Sequence, residues 1–297
     1  MYSAKTFYRA AFDPKVNRED GCFTNESLKF YGVTDGNSAA FSPSNPQDKY
    51  VGGLTGGQMI IQQTADFLKG LAPCVGIKEC LTGINQRVLC QHQLIGKDPA
   101  KGHDVGGASF AFCQLNEWGA NLLLGGDCFV LVKLKHRCLF KTGFDKAAFA
   151  LEEADQNAYN ACLQQTKSSE RPNGSIGAAW DLYFPRYREK RLRCKNKNIG
   201  QGGHADLNGD PALYECWSWY PISWGYNIEM ILLATDGFLP PSQFNGDNLD
   251  ELGKILWSVC AGDPKKILKW RDAEESCAKR LLHVEGWPEA GAVVLSF

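Results

Sequence analysis

Two apolar runs, far apart in the chain, end the same way. KFYGVTDGN carries Asp35-Gly36 and MILLATDGF carries Asp236-Gly237, each at the tip of what should be a buried strand. A carboxylate just beyond a buried strand is costly to desolvate unless something offsets its charge. The glycine after it allows a tight turn and leaves the backbone carbonyl accessible. Carboxylate and carbonyl oxygens, completed by water, are the donors that a hard divalent cation takes. One Asp-Gly pair is most simply an ordinary turn, and the repetition on two similar strands is what raises the ligand reading. Two further strand ends supply acids: Glu19-Asp20 precedes the first core strand, and Gly125-Gly126-Asp127 closes an apolar run. Acids scattered over strand ends are how an antiparallel sheet gathers a metal cluster at one edge.

The elements that must position these acids can be read from pattern. CFTN and LKFYGVT read as a strand pair broken at Glu26-Ser27, and residues 41–54, rich in Ser, Pro, Asn and Gly, as a loop. In TGGQMIIQQTADFLKG, Ile60, Phe67, Leu68 and Leu71 have helical spacing, and Thr55 with Gln58 predicts a capping box. Gly56-Gly57 weaken that first turn, and with Gly52-Gly53 they would let the helix start pass close beside the acidic edge. ASFAFCQL, NLLLGG and DCFVLVKL read as an antiparallel meander with NEWGA as a hairpin loop. Residues 145–165 are helical in propensity, and an irregular surface excursion is expected over about 166–226. YNIEMILLAT reads as a core strand and AGAVVLSF as the last one. Between them Asn248 and Glu251 are placed to cap NLDELGKILWSVC, and Asp263-Pro264 starts a second helix. Strands in clusters and helices in clusters argue for α+β, and the absence of a linker for one domain over 1–297.

Composition narrows the function classes. With 297 residues and a net charge of -1, nothing electrostatic points to nucleic acid or an anionic membrane; the basic run RYREKRLRCKNK (186–197) reads as a solvated face. The start lacks a signal-peptide pattern and no run of 18 apolar residues occurs. Twelve scattered cysteines without CxxC pairs read as reduced thiols of a cytoplasmic protein. There is no GxSxG elbow, P-loop or HExxH. DLNGD (206–210) imitates a calcium loop but has Pro211 and Trp217 where glycine and glutamate are required, so it reads as a hairpin turn. CWSWYPISWGY (216–226) reads as packing between sheet and excursion, and His103-Asp104 and His204-x-Asp206 as surface or turn residues.

Taken in order, these segments resemble the metal-dependent type 2C protein serine/threonine phosphatases (PPM). KVNREDG (15–21) looks like the family's basic residue followed by a Glu-Asp pair, and YGVTDGN like its apolar-then-Asp-Gly motif. GGASFAFCQL resembles the strand opening the meander, and LGGDCFVLV its Gly-Asp-Ser motif with Cys128 for serine. MILLATDGF and AGAVVLSF resemble its last two strands. The resemblance implies a four-layer αββα sandwich and a Mn2+- or Mg2+-dependent phosphatase acting on phosphoserine and phosphothreonine in proteins through a metal-bridging hydroxide. Asp35 would bridge two ions. The Gly36 carbonyl, with Glu19 and Asp20 largely through water, would serve one of them and Asp236 the other. Asp127 with Asp236 would form a weaker third site, and Lys15 would hold phosphate where the family usually has arginine.

Three departures accompany it. The family's last strand opens with a ligating Asp, and here Pro288 or Glu289 stands there, with Glu285 a poorer substitute. Asn37 replaces a histidine that some members carry, and Lys15 lacks arginine's bidentate fork. The alternatives are a catalytically impaired pseudophosphatase acting as a binding module, and an unrelated carbohydrate hydrolase built on the aromatic segment.

Overall fold

The computed structural model describes residues 2–10, 18–37, 49–72, 75–166, 176–240, 244–282 and 289–297, with the side chains of 176–177 and 275–282 left out of the description. Lys15, Glu285 and Pro288 lie outside these residues. Among the described residues ten strands form in chain order: β1 (Ser3–Arg9), β2 (Asp20–Asn25), β3 (Phe30–Asn37), β4 (Gly107–Leu115), β5 (Gly119–Gly125), β6 (Phe129–Leu134), β7 (Arg137–Thr142), β8 (Ser218–Ser223), β9 (Ile228–Ala234) and β10 (Ala290–Ser296). The helices are α1 (Gly56–Lys69), α2 (Ile77–Leu94), α3 (Lys146–Thr166), α4 (Ile176–Cys194), the short α5 (Leu213–Cys216), α6 (Leu249–Ser258) and α7 (Pro264–Leu282).

The strands make two five-stranded antiparallel sheets, ordered β1-β10-β9-β6-β7 and β2-β3-β4-β5-β8. Because side chains alternate across a strand, each sheet buries two faces. In β9, Ile231 and Leu233 meet Val33, Ala111, Leu124 and Val293 between the sheets. On the same strand Leu232 and Ala234 face outward, onto Leu252, Leu256 and Ile267 of α6 and α7. The other sheet turns Phe30, Phe110, Phe112 and Leu123 out to Met59, Ile60, Leu81 and Ile84 of α1 and α2. The result is the expected αββα sandwich.

Four local expectations need correction. The 166–226 stretch is not irregular throughout: α4 crosses it and packs on α3. Its anchors are rings (Tyr159, Trp180, Tyr183 and Tyr187) rather than aliphatic residues, joined by Lys190 to Asp155 at 2.6 Å and to Glu152 at 2.8 Å. The aromatic segment behind it is the edge strand β8, paired with β5. DLNGD is no hairpin and His204-x-Asp206 no surface turn, because Asp206, Asn208 and Asp210 are buried. Asn196 Nδ2 donates to the Asp206 carbonyl at 2.7 Å and to Asn208 Oδ1 at 2.8 Å. Asn248 is the residue before α6, but its side chain makes no capping hydrogen bond. The Thr55–Gln58 capping box is formed as expected. Ten cysteines among the described residues are free thiols, and none of the described helices is long and apolar enough to cross a membrane.

Candidate functional site

One end of the sandwich is where β3, β5 and β9 finish and β2, β4, β6 and β10 begin. Register brings the acids together there. Asp20 opens β2 directly opposite Asp35 on β3, and Asp35 in turn faces Ser109 on β4. Asp236 follows β9 at the start of a single 3-10 turn, and Ala234 is paired with both Phe129 and Ala292, which places Asp127 and Glu289 near the same end.

Asp35 stands at the centre. Carboxyl–carboxyl hydrogen bonds join it to Asp20 and to Asp236, contacts that need a proton or a cation between the oxygens. Burial, then the Asp20, Asp236 and Asp127 charges, push the Asp35 carboxyl well above the ordinary carboxylate range. Asp20 is raised likewise, first by burial and then by Glu289 and Asp236, against a hydrogen bond from Thr235 that favours its ionised form. Asp127 is pushed up to about 7 by burial and by Asp236, and Asp236 is raised by burial. Asp20 is only 3% exposed, whereas Asp35, Asp127 and Asp236 are partly open to solvent.

Neighbouring groups hold the acids in place. The Thr235 hydroxyl donates to Asp20 Oδ2 at 2.7 Å and accepts from Gly291 N–H at 3.0 Å, tying β10 to β2. Ser109 Oγ accepts from Asp127 N–H at 3.4 Å. Glu19 offers its carbonyl to Gly36 N–H at 2.9 Å, while its carboxylate accepts from the Thr55 hydroxyl. This explains the glycines of α1: a Cβ at Gly57 would lie 2.7 Å from Glu19 Cβ, and one at Gly36 would lie 2.6 Å from Gly57 Cα. Gly52-Gly53, by contrast, form a separate turn with positive φ in open space.

Glu289 reaches the rim of the cluster with both oxygens engaged. Oε2 accepts from Glu19 N–H at 2.8 Å and Oε1 accepts from the Tyr8 hydroxyl. Each oxygen keeps a second lone pair, so Glu289 braces β1, the Glu19 segment and β10 together and can still face a cation.

Several neighbours carry no signal in the sequence. Glu152 of α3 lies close enough to interact with the Asp127 and Asp236 charges; burial raises its own carboxyl against the pull of its partner Lys190. Beyond Gly36, Asn37 Oδ1 accepts from Lys195 Nζ, which also pairs with buried Asp206 at 2.5 Å. Burial and the Arg191 charge lower Lys195 to about 8.

The donors are hard oxygens, suited to Mg2+ or Mn2+ rather than to thiophilic ions. Asp127 Oδ1 is buried and has no hydrogen-bond partner among the described residues. The adjacent Cys128 thiol is raised by burial and by the four aspartates, so it stays protonated. Among the described residues no group of three or more His, Cys, Asp or Glu side chains is placed to hold a metal ion as the side chains stand.

Two antiparallel sheets between helical layers are the fold of the PPM-type serine/threonine phosphatases. No protein-family model matches the sequence, and no curated protein matches it. Solved structures do match. The serine/threonine phosphatase Stp1 from Staphylococcus aureus superposes with a TM-score of 0.55 at 12% identity, over 100% of this chain and 95% of its own. The Mycobacterium tuberculosis serine/threonine phosphatase PstP/Ppp gives 0.51 at 12% identity, over 100% and 98%. MsPP, a PPM Ser-Thr phosphatase from Mycobacterium smegmatis in complex with cacodylate, gives 0.51 at 15% identity, over 99% and 98%. At these identities the likeness is one of fold.

Proposed function

We propose that this chain is a Mn2+- or Mg2+-dependent phosphatase that hydrolyses phosphoserine and phosphothreonine in proteins. The observation that carries the reading is the meeting of Asp20, Asp35, Asp127 and Asp236, from four separate strand ends, at one end of the sandwich. The shared fold with serine/threonine phosphatases supports it.

In this reading Asp35 would be shared by two ions. Asp20, Glu19 and the Gly36 carbonyl would help hold one and Asp236 the other, with Asp127 and Asp236 as a weaker third position. Lys15 is assigned to the substrate phosphate and Glu289 to the rim. Two bound divalent ions would supply an activated water and neutralise charge on the phosphoryl oxygens.

The chain's own contribution is positional. Thr235 donates to Asp20 and so favours its ionised, ligating form. Ser109 does the same for Asp127. The Thr55 hydroxyl and Glu289 fix the two ends of Glu19, and α1 can approach because Gly57 has no side chain. Asp35, Asp127 and Asp236 are partly open to solvent, the side from which a phosphoryl group would approach. No protein nucleophile is required, consistent with the protonated Cys128 thiol.

A second reading, a pseudophosphatase that binds without turnover, is favoured by one observation: each Glu289 oxygen already accepts a hydrogen bond, from Tyr8 and from Glu19 N–H, which leaves it one lone pair for a cation. Turnover separates the two. Hydrolysis of p-nitrophenyl phosphate and of a phosphothreonine peptide is expected only with added Mn2+ or Mg2+, and is lost in Asp35→Asn and Asp236→Asn. Undiminished turnover in both variants would reject the phosphatase reading, and Mn2+ binding without turnover would select the pseudophosphatase.

A further inference from the structure

At the opposite end of the β2-β3-β4-β5-β8 sheet lies a cavity of about 520 Å3, within the size range of binding pockets. Phe30 pairs with Gln114 and Gln114 with Asn121, while Asp35 is five residues further along β3, roughly 17 Å away at strand rise. The cavity is therefore separate from the carboxylate cluster. It lies on the helix side of the sheet, where Gln114 and Asn121 line it, and Leu28, Ile77 and Leu115 supply apolar wall. Trp219, paired with Leu123 on the edge strand β8, forms the outer side and remains 48% exposed.

Its charge is one-sided. Lys29 and Lys78 both line it, and neither has a carboxylate partner among the described residues. Lys78 Nζ instead sits 4.1 Å from the Trp219 ring centroid, leaving its charge near the pocket and one ring face occupied. The single lining acid, Glu79, folds back against Gly76, the residue before α2, and so serves that helix's own N-terminus. The β4–β5 hairpin that contributes Asn116 also carries Trp118, 75% exposed.

We infer that this cavity docks an acidic peptide segment of a partner protein, with an aromatic or aliphatic side chain seated against Trp219 and flanking carboxylates on Lys29 and Lys78. Two cations and an apolar wall fit such a segment better than a neutral sugar, whose hydroxyls would leave both charges unanswered. Strand addition to β8 is disfavoured because Pro221 removes a backbone donor from that edge. The inference does not depend on the phosphatase reading.

The test is fluorescence anisotropy on the full chain with fluorescein-labelled Glu-Asp-Trp-Leu-Asp-Glu, beside a peptide with lysine for every acid. Saturable binding of the acidic peptide alone is expected, weakening as salt rises from about 0.05 to about 0.5 M. Trp219→Ala and the double variant Lys29→Glu/Lys78→Glu should each weaken it at least tenfold, and the milder Lys78→Gln measurably, with folding checked by thermal melts. Asp35→Asn, at the other end, should leave it unchanged. Equal binding of the basic peptide, no saturation, insensitivity to the pocket variants, or competition by a neutral oligosaccharide would each overturn the assignment.

Discussion

Thr235 is the most informative residue to perturb without touching a carboxylate. It is fully buried, and its hydroxyl bridges Asp20 Oδ2 at 2.7 Å and Gly291 N–H at 3.0 Å. Thr235→Val keeps the shape and removes both bonds. A buried hydrogen bond to a charged partner contributes about 1.5–3 kcal/mol, and orphaning the Gly291 donor costs about 1–3 more. The backbone bond from Thr235 N–H to the Gly291 carbonyl survives, so the strand register should hold and the loss should be about 3 kcal/mol rather than the full sum. Urea denaturation should report that difference, and the melting temperature should fall by about 5 °C. Removing the donor also drives the Asp20 proton affinity further up, so Mn2+ should bind more weakly at pH 7 and recover at higher pH. Thr235→Ser, which keeps the hydroxyl, should restore the metal affinity. A Thr235→Val protein within about 0.5 kcal/mol of wild type, with unchanged Mn2+ affinity, would refute the bridge.

Two further outcomes follow from the buried charges. Asp127 is raised to about 7, so the metal-free folded chain holds its proton more tightly than the unfolded one, and this stabilisation is lost as pH climbs from about 4 through 7. Asp127→Asn should therefore stabilise the metal-free protein at pH 8, by about 2 kcal/mol after allowing for solvent on the cleft side, and change little at pH 4; destabilisation at pH 8 in urea melts with chelator would contradict this. Lys195→Met should cost about 3–5 kcal/mol because it strands the buried Asp206 charge, and Lys195→Met/Asp206→Leu should regain most of it, as a double-mutant cycle would report.

The acidic end was legible because its ligand candidates sit at strand tips, where an apolar run gives way to Asp-Gly. β3, β9 and β10 announce themselves by the same buried runs, and α1 by its capping box. α2 carries a helical stripe of Ile77, Leu81, Ile84 and Val88, which covers one sheet. β1 and β8 were harder: both are edge strands with mixed exposure, and β8 contains a proline. α4 hid behind its own polarity, since rings and a Lys190 ion-pair cluster replace the aliphatic stripe. Asp206 reads as a surface turn because its partner Lys195 lies in a basic run that pattern alone assigns to solvent. Thr235 reaches Asp20 across 215 residues and Tyr8 reaches Glu289 across 281, relations no local spacing encodes.

The account depends on Asp35 and Asp236 sharing their ions. Mn2+ titration calorimetry on the wild-type chain beside Asp35→Asn and Asp236→Asn tests this directly. Two ions per wild-type chain are predicted, with both sites weakened at least tenfold by Asp35→Asn and one by Asp236→Asn. An unchanged stoichiometry and affinity in both variants would contradict it.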